Sequence, residues 1–329
     1  MEKKPKIVFF GTPEFAVTSL DRLVKEGADI AAVVTMPDKP AGRGHKMLHS
    51  AVKTYALEHA LPLLQPVKLK DPEFVKALRA IGADLFIVIA FRMLPEVVWT
   101  MPPLGTFNLH ASLLPRYRGA APINRAVMNG DKETGVTTFF LKHEIDTGDI
   151  IRQEKIEIGP DEDAGSVHDR LMELGAELTA DTVAHITAGD LKPMPQEQLE
   201  DIYEPCPAPK IFKETCRIEW GASAAELHNF VRGLAPYPAA WTELVVEGSS
   251  PATEPLTTLK IIKARVSKEA SSLAPGQVEI LDNSRIFVGT GSDNEALELL
   301  ELQPSGKRAM TAESFLRGFR FSDESLSMR

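Results

Sequence analysis

In the stretch Thr106-Phe107-Asn108-Leu109-His110, residues Thr106 to Leu109 predict a short buried strand. Alternate residues of a strand face the same way, so Asn108 and His110 are expected to project together. The carboxyl end of a strand is where open parallel sheets bind their ligands. An amide donor beside an imidazole at that place suits a reaction that forms an oxyanion and moves a proton. On its own, however, an Asn-x-His pair is more often a structural hydrogen-bonded pair.

Two segments that follow strengthen this interpretation. The first, Ala111-Ser112-Leu113-Leu114-Pro115-Arg116-Tyr117-Arg118-Gly119-Ala120-Ala121-Pro122, contains proline and glycine. It cannot continue the strand and must turn over its end. The second is Asp146-Thr147-Gly148-Asp149, which taken alone would be a turn or a helix cap.

Together, the Asn-x-His strand, the Ser-Leu-Leu-Pro-x-x-Arg-Gly loop and the Asp-Thr-Gly segment resemble the formyltransferases that use 10-formyltetrahydrofolate. The resemblance implies that Asn108, His110 and Asp146 are catalytic. Asn108 would donate to an oxyanion, His110 would carry a proton, and Asp146 would hold the imidazole in place. It also implies a folate-binding loop made of Ser112, Leu113, Leu114 and Pro115. Folate would be a co-substrate, with no tightly bound cofactor and no metal.

The order of elements predicts an α/β fold. Lys6 to Phe10 and Ile30 to Thr35 are predicted strands on either side of an amphipathic helix, which indicates a parallel, right-handed crossover unit. Leu85 to Ala90 is apolar throughout and predicts a central strand. We expect a Rossmann-like, mostly parallel sheet with helices on both faces. The first turn lacks Gly-x-Gly-x-x-Gly, which disfavours a dinucleotide cofactor.

A basic loop over residues 36–48 indicates the acceptor substrate. Its Pro-Asp-Lys-Pro-Ala-Gly-Arg-Gly sequence resembles a loop of the methionyl-tRNA formyltransferase subfamily, in which it contacts the tRNA acceptor stem. The resemblance implies that Arg43 binds tRNA, with Lys39 and Lys46 beside it. In contrast, the loop Phe91 to Pro95 departs from the family's Ala-Tyr-Gly-x-x-Leu-Pro and is one residue shorter. This departure leaves its pterin contacts open.

The second half predicts a separate small domain. Five prolines crowd residues 193–209 and predict a stiff linker. Five short strands beyond it (Trp241–Glu247, Leu256–Val266, Gly276–Leu281, Arg285–Gly289 and Ala296–Leu302) suggest an OB-like β-barrel. We therefore expect a first domain over 1–190, a proline-rich linker over 191–209 and a second domain over 210–329. The resemblance implies that the first domain is catalytic and that the second binds tRNA. Basic residues beyond the linker are expected to contact phosphates: Lys210, Lys213, Arg232, Lys260, Lys263 and Arg265.

Composition excludes several classes of protein. The 329 residues carry a net charge of −9, which argues against nonspecific nucleic-acid binding as the main role. Residues 142–204 have a net charge of −12 and residues 39–79 one of +5, so a basic face is still available. No apolar run is long enough to span a bilayer or form a signal peptide. Two cysteines without metal or redox spacing fit a reducing compartment. We expect a cytoplasmic monomer.

The predicted function is transfer of a formyl group from 10-formyltetrahydrofolate to methionine on initiator tRNA, for translation initiation. A formyltransferase acting on a nucleotide-sugar amine is the nearest alternative, and the basic loop argues against it. A catalytically silent tRNA- or folate-binding module would not need all three catalytic side chains. A metal hydrolase using His110, His143 and Asp146 lacks an evident ligand spacing. His143 also competes as the base, because it is near Asp146 in sequence.

Overall fold

A computed structural model describes residues 4–41, 46–247, 254–270, 272–319 and 325–329. The chain divides into two compact units, each assembled from three segments. The first unit comprises residues 1–119, 134–156 and 168–208. The second comprises residues 120–133, 157–167 and 209–329.

Up to residue 208 the chain combines strands with helices, as the sequence predicts. The strands are β1 (Lys6–Gly11), β2 (Asp29–Val34), β3 (Lys39–Ala41), β4 (Lys46–Leu48), β5 (Leu63–Leu64), β6 (Leu85–Ile89), β7 (Thr106–His110), β8 (Arg116–Gly119), β9 (Glu133–Phe140), β10 (Ile150–Glu157) and β11 (Cys206–Ala208). The α-helices are α1 (Glu14–Lys25), α2 (Ala51–Glu58), α3 (Pro72–Ile81), α4 (Glu96–Trp99), α5 (Pro122–Met128) and α6 (Ala164–Ala188).

Seven of these strands form one sheet in the order β10-β9-β7-β6-β1-β2-β5. The pairs β1–β2, β1–β6, β2–β5 and β6–β7 are parallel, and β7–β9 is antiparallel. This arrangement confirms the predicted Rossmann-like, mostly parallel sheet. Every residue of β6 is buried, as expected for a central strand covered on both faces.

Local sequence signals set the bounds of α3. The Asp71 side chain caps its first turn by accepting from the Glu73 backbone N–H, and Pro72 occupies the first position. Gly82 ends it with a φ of +61°, which glycine adopts without steric cost. The buried residues Phe74 and Leu78 then pack against the sheet core that includes Phe10 and Phe86.

Residues 191–208, most of the predicted linker, belong to the first unit and form structure of their own. Gln196–Leu199 is a 3-10 helix, and Met194 makes an antiparallel bridge to Ile150. Strand β11 pairs in parallel with β8, directly after the predicted folate loop. Part of this proline-rich stretch therefore lies against the predicted active-site segment.

The second unit is an antiparallel, nearly closed barrel, as predicted. Its remaining elements are α7 (Ala224–Leu234), β12 (Ala240–Val246), β13 (Thr257–Ser267), β14 (Val278–Leu281), β15 (Arg285–Gly289), β16 (Ala296–Pro304), β17 (Met310–Thr311), α8 (Ala312–Gly318) and β18 (Leu326–Met328). The order is β14-β15-β16-β13-β12-β18, and a bridge between Gln277 and Ser327 joins its two ends. The five predicted strands are present, and the sequence prediction missed the short strands β17 and β18.

Candidate active site

Asn108 and His110 lie on β7, inside the main sheet. Asn108 is opposite Val88 of β6 and Phe139 of β9, and His110 ends the strand. The His110 side chain is 7% exposed, whereas Asn108 is half-buried. Within the described ranges, the Asn108 amide makes no hydrogen bond to protein. It therefore keeps its donor available for a ligand.

The His110 ring is held by a backbone carbonyl that the sequence did not reveal. Its Nε2 lies 2.8 Å from the carbonyl oxygen of Tyr117. Because a carbonyl only accepts, Nε2 must carry the hydrogen and donate it. The other nitrogen, Nδ1, is 3.8 Å from Asp146 Oδ2, which is beyond hydrogen-bonding distance but within the range of an ion pair when the imidazole is protonated. Phe139 packs edge-on against the ring.

Asp146 is fixed from its own side by backbone contacts. Its Oδ2 accepts from the Gly119 N–H at 3.0 Å, so the segment after the folate loop holds both His110 and Asp146. Asp146 has a φ of +55°, which is uncommon for a residue other than glycine. A side chain at Gly148 would overlap the Phe140 carbonyl oxygen. In the Asp-Thr-Gly sequence, the aspartate supplies the carboxylate, and the glycine is required because the turn leaves no room for a side chain.

A buried polar network supports the predicted folate loop, Ser112 to Pro115. The Thr137 hydroxyl donates to the Ser112 carbonyl at 2.6 Å and accepts from the Leu114 N–H at 3.2 Å. Gln153 Nε2 donates to the Leu114 carbonyl and to Thr137 Oγ1. The side chains of Ser112, Leu113 and Leu114 are buried. The chemistry that this loop offers a ligand is thus mainly that of its backbone.

A glutamine that sequence reasoning missed links these segments. Gln196 is fully buried, and its Nε2 donates to the carbonyls of Asp146 and Gly148. Its Oε1 accepts from the guanidinium of Arg118. In the sequence, Gln196 is marked only by the neighbouring Pro195 in the predicted linker. That pair does not indicate a contact with Asp146.

The predicted tRNA contacts are only partly visible. Lys39 is exposed on the hairpin that β3 and β4 form, and Lys46 begins β4. Arg43 lies outside the described residues. Beside this hairpin, the Asp38 carboxylate accepts hydrogen bonds from Lys53 and Gln65. The hydrogen bond from Lys53 is the largest cause that lowers the pKa of Asp38.

Two further sequence hypotheses concern His143 and the Phe91–Pro95 loop. His143 is exposed, unlike His110. In the loop, the Arg92 guanidinium donates to the carbonyls of Pro66 and Val67, and burial lowers its pKa. Phe91 packs on Phe10 with ring centroids 5.7 Å apart. Arg92 is thus tied to the protein, and its pterin contacts stay a prediction.

Two of the basic residues predicted to bind phosphates in the second unit do not have free charges. Arg232 is buried, and it donates to the carbonyls of Gly159 and Glu162 and to Asn229 Oδ1. Burial also lowers its pKa. Arg265 pairs with the buried carboxylate of Glu298. The prediction was wrong for Arg232 because a pattern of charges does not show which side chains satisfy buried carbonyls.

Lys210 and Lys213, in contrast, are exposed and lie beside aromatic rings. The Lys210 ammonium is 5.5 Å from the ring centroid of Phe212, and that of Lys213 is 5.9 Å from the ring centroid of Trp241. Arg217 also lies 5.3 Å from the Trp241 ring centroid. These cations and rings give the second unit a surface that suits a polyanion with stacked bases.

In the described part of the chain, no three His, Cys, Asp or Glu side chains are grouped as metal ligands. None of the described helices is both long and apolar enough to cross a membrane.

Comparison with known proteins identifies the family. Residues 5–183 match the formyl transferase model and residues 210–320 the formyl transferase C-terminal domain model. The methionyl-tRNA formyltransferase of Bacteroides fragilis is 54% identical over 97% of this chain and 96% of its own length.

Two solved structures share the fold at low sequence identity. The N-formyltransferase of Helicobacter canadensis, in complex with folinic acid and dTDP-3-aminofucose, has a TM-score of 0.64 at 20% identity over 91% of this chain and 99% of that one. HypX from Aquifex aeolicus, in complex with tetrahydrofolic acid, has a TM-score of 0.63 at 19% identity over 98% of this chain and 51% of that one. Together with the matched models and the close relative, they show that the chain belongs to the formyl transferase family, in its methionyl-tRNA formyltransferase branch.

Proposed function

We propose that this chain transfers the formyl group of 10-formyltetrahydrofolate to the amino group of methionine on initiator tRNA, for translation initiation. The observation that carries the proposal is the arrangement at the end of β7. There the Asn108 amide has no protein partner among the described residues, and His110 lies between the Tyr117 carbonyl and the Asp146 carboxylate. The names of the close relatives support formyl transfer and the choice of acceptor.

In the proposed reaction the neutral amine attacks the formyl carbon. A nitrogen–carbon bond forms, and the carbonyl oxygen becomes an oxyanion. When the carbonyl forms again, the bond from carbon to N10 of the folate breaks. The attacking amine loses one proton and N10 gains one. Asn108 donates to the oxyanion, a contact worth roughly 3–4 kcal/mol in the transition state.

His110 and Asp146 carry the proton chemistry of this proposal. The bond from Nε2 to the Tyr117 carbonyl fixes the ring, so Nδ1 is the nitrogen left for proton transfer. A proton at Nδ1 faces the Asp146 carboxylate. Asp146 thus lies beside the nitrogen that carries the proton in this proposal, and the Tyr117 carbonyl fixes the orientation of the ring.

The tRNA acceptor substrate is proposed to bind at two basic surfaces. The loop with Lys39, Arg43 and Lys46 is proposed to contact the acceptor stem, as in the subfamily that it resembles. On the second unit, Lys210 and Lys213 beside their aromatic rings are proposed to bind phosphates and bases. A monomer and a cytoplasmic location remain part of the proposal, as does folate acting as a co-substrate without a tightly bound cofactor.

The test is formyl transfer by the purified full chain from 10-formyltetrahydrofolate to charged initiator tRNA, without added metal. We expect formylmethionine on the tRNA and no formylation of a dTDP-linked amino sugar. His143→Ala is the matched control, because His143 is exposed close to the Asp146 turn. No turnover with the tRNA would refute the function. Loss of activity in His143→Ala but not in His110→Ala would refute the assignment of the proton-carrying residue.

A further inference from the structure

Gln196 has a position that its place in the sequence does not suggest. It is the first residue of the 3-10 helix Gln196–Leu199, within the proline-rich stretch, yet none of its surface is exposed. Burying an amide is costly unless its polar atoms are hydrogen-bonded. The side chain must therefore find all its partners inside the first unit.

All four hydrogen-bonding positions of this amide are used. Nε2 donates to the Asp146 carbonyl at 2.8 Å and to the Gly148 carbonyl at 2.9 Å. Oε1 accepts from Arg118 Nε at 3.0 Å and from Arg118 Nη2 at 2.7 Å. Because arginine only donates and carbonyls only accept, this network fixes which end of the amide is oxygen.

The partners of Gln196 belong to the two segments that touch the catalytic pair. The Asp146–Gly148 turn carries the carboxylate, and Asp146 holds a left-handed backbone conformation that is uncommon without glycine. Arg118 stands between Tyr117, whose carbonyl bonds to His110, and Gly119, whose N–H bonds to the Asp146 carboxylate. One side chain therefore ties together both backbone segments that set the geometry between His110 and Asp146.

We propose that Gln196 is a positioning residue, which holds the Asp146 turn against the Tyr117–Gly119 segment so that the carboxylate stays beside His110. This inference rests on the proposed function, because it concerns how the catalytic pair is oriented. Gln196 acts through Asp146 and touches no reacting atom. Its loss lowers the turnover number and leaves folate binding nearly unchanged.

A double-mutant cycle with full-length protein tests the proposal. Gln196→Met keeps the size of the side chain and removes its four hydrogen bonds. In the wild-type background we expect kcat to fall roughly 30- to 100-fold, with KM for 10-formyltetrahydrofolate within about threefold. In the Asp146→Asn background the same change should lower kcat by less than about threefold, since residues that act as a unit are not additive.

Two variants serve as controls. Gln198→Met changes an exposed glutamine of the same 3-10 helix and should match the wild type in kcat, KM and unfolding temperature. Gln196→Glu keeps an acceptor for Arg118 but loses both donors to the turn, and it replaces Gln196→Met in the cycle if that variant does not fold. An equal loss of kcat in both backgrounds would overturn the proposal, as would a kcat near the wild-type value. An inactive wild-type chain would instead overturn the proposed function.

Discussion

Replacing Thr137 by valine tests whether the buried network beneath Ser112–Pro115 prepares a folate site. The hydroxyl of Thr137 makes three hydrogen bonds: one to the Ser112 carbonyl, one from the Leu114 N–H and one from Gln153. Valine has nearly the same volume as threonine, so the substitution removes these bonds and leaves little cavity. The residue is fully buried, so water does not easily replace the lost partners.

The structure sets the size of the effect. At about 1 kcal/mol for each hydrogen bond, the loss of three should lower the free energy of unfolding by roughly 3 kcal/mol. Two of the three bonds go to the folate loop itself. If their loss disorders the loop, part of the binding free energy, about 2 kcal/mol, is needed to order it again. The affinity for folate then falls by up to about 30-fold.

Thr138→Val is the matched control, because Thr138 is equally buried one residue along β9. Its hydroxyl bonds to Thr182 Oγ1, which still has the Leu178 carbonyl as a partner. We expect about 1 kcal/mol of destabilisation and an unchanged affinity for folate. The measurements are urea denaturation and calorimetric titration with 10-formyltetrahydrofolate or a stable analogue. Wild-type affinity in Thr137→Val would refute the idea that this network supports the site.

The remaining predictions concern catalysis, tRNA and acid stability. Asn108→Ala should lower kcat by roughly 10²- to 10³-fold with little change in unfolding temperature, as steady-state kinetics and calorimetry can check. Arg43→Ala should raise KM for charged tRNA and leave KM for folate unchanged, and an unchanged KM for tRNA would reduce the basic loop to ordinary surface. Lys210→Gln combined with Lys213→Gln should make the plot of log affinity for tRNA against log salt less steep, reducing the magnitude of its negative slope by about one to two. Hydrogen bonds from Arg285, followed by Arg265, hold the pKa of Glu298 below its ordinary value, so this group stabilises the fold above about pH 4.5 and loses that contribution as the pH falls through its folded pKa. Glu298→Gln should therefore cost roughly 2 kcal/mol near pH 7, and denaturation curves should show this cost shrinking as the pH falls through the folded pKa of Glu298.

The main sheet could be predicted because its signals are local. The strands β1, β2 and β6 are short apolar runs, and α3 is bounded by Asp71, Pro72 and Gly82, whose preferences act over one helical turn. The five barrel strands could be predicted for the same reason. Strand β18 could not, since Leu326-Ser327-Met328 is too short to show a period and is defined by its pairing with β12.

Charge patterns predicted the contacts of individual basic residues less well than apolar patterns predicted the strands. Arg232 and Lys213 look alike in sequence, and both follow the linker. In the structure Arg232 satisfies buried carbonyls, whereas Lys213 lies exposed beside the Trp241 ring. A cation's role depends on which acceptors come close in three dimensions, and long-range contacts of that kind leave no periodic trace.

The same reasoning explains which parts of the candidate site were out of reach. Asn108, His110 and Asp146 are side chains, and their chemistry can be inferred from residue type. The Tyr117 carbonyl and the Gly119 N–H are backbone groups. Every residue has the carbonyl and every residue but proline has the N–H, so no residue type marks them. Their placement depends on a segment that turns over the end of β7 and pairs with β11, some 90 residues later in the chain. Gln196, ten residues before β11, belongs to this returning stretch and bonds to Asp146 and Arg118 from there. The predicted catalytic side chains lie before the proline-rich stretch, but the contacts that hold them in place come partly from within it. A fragment cut before Pro195 would thus retain all three predicted catalytic residues and lose the geometry between them.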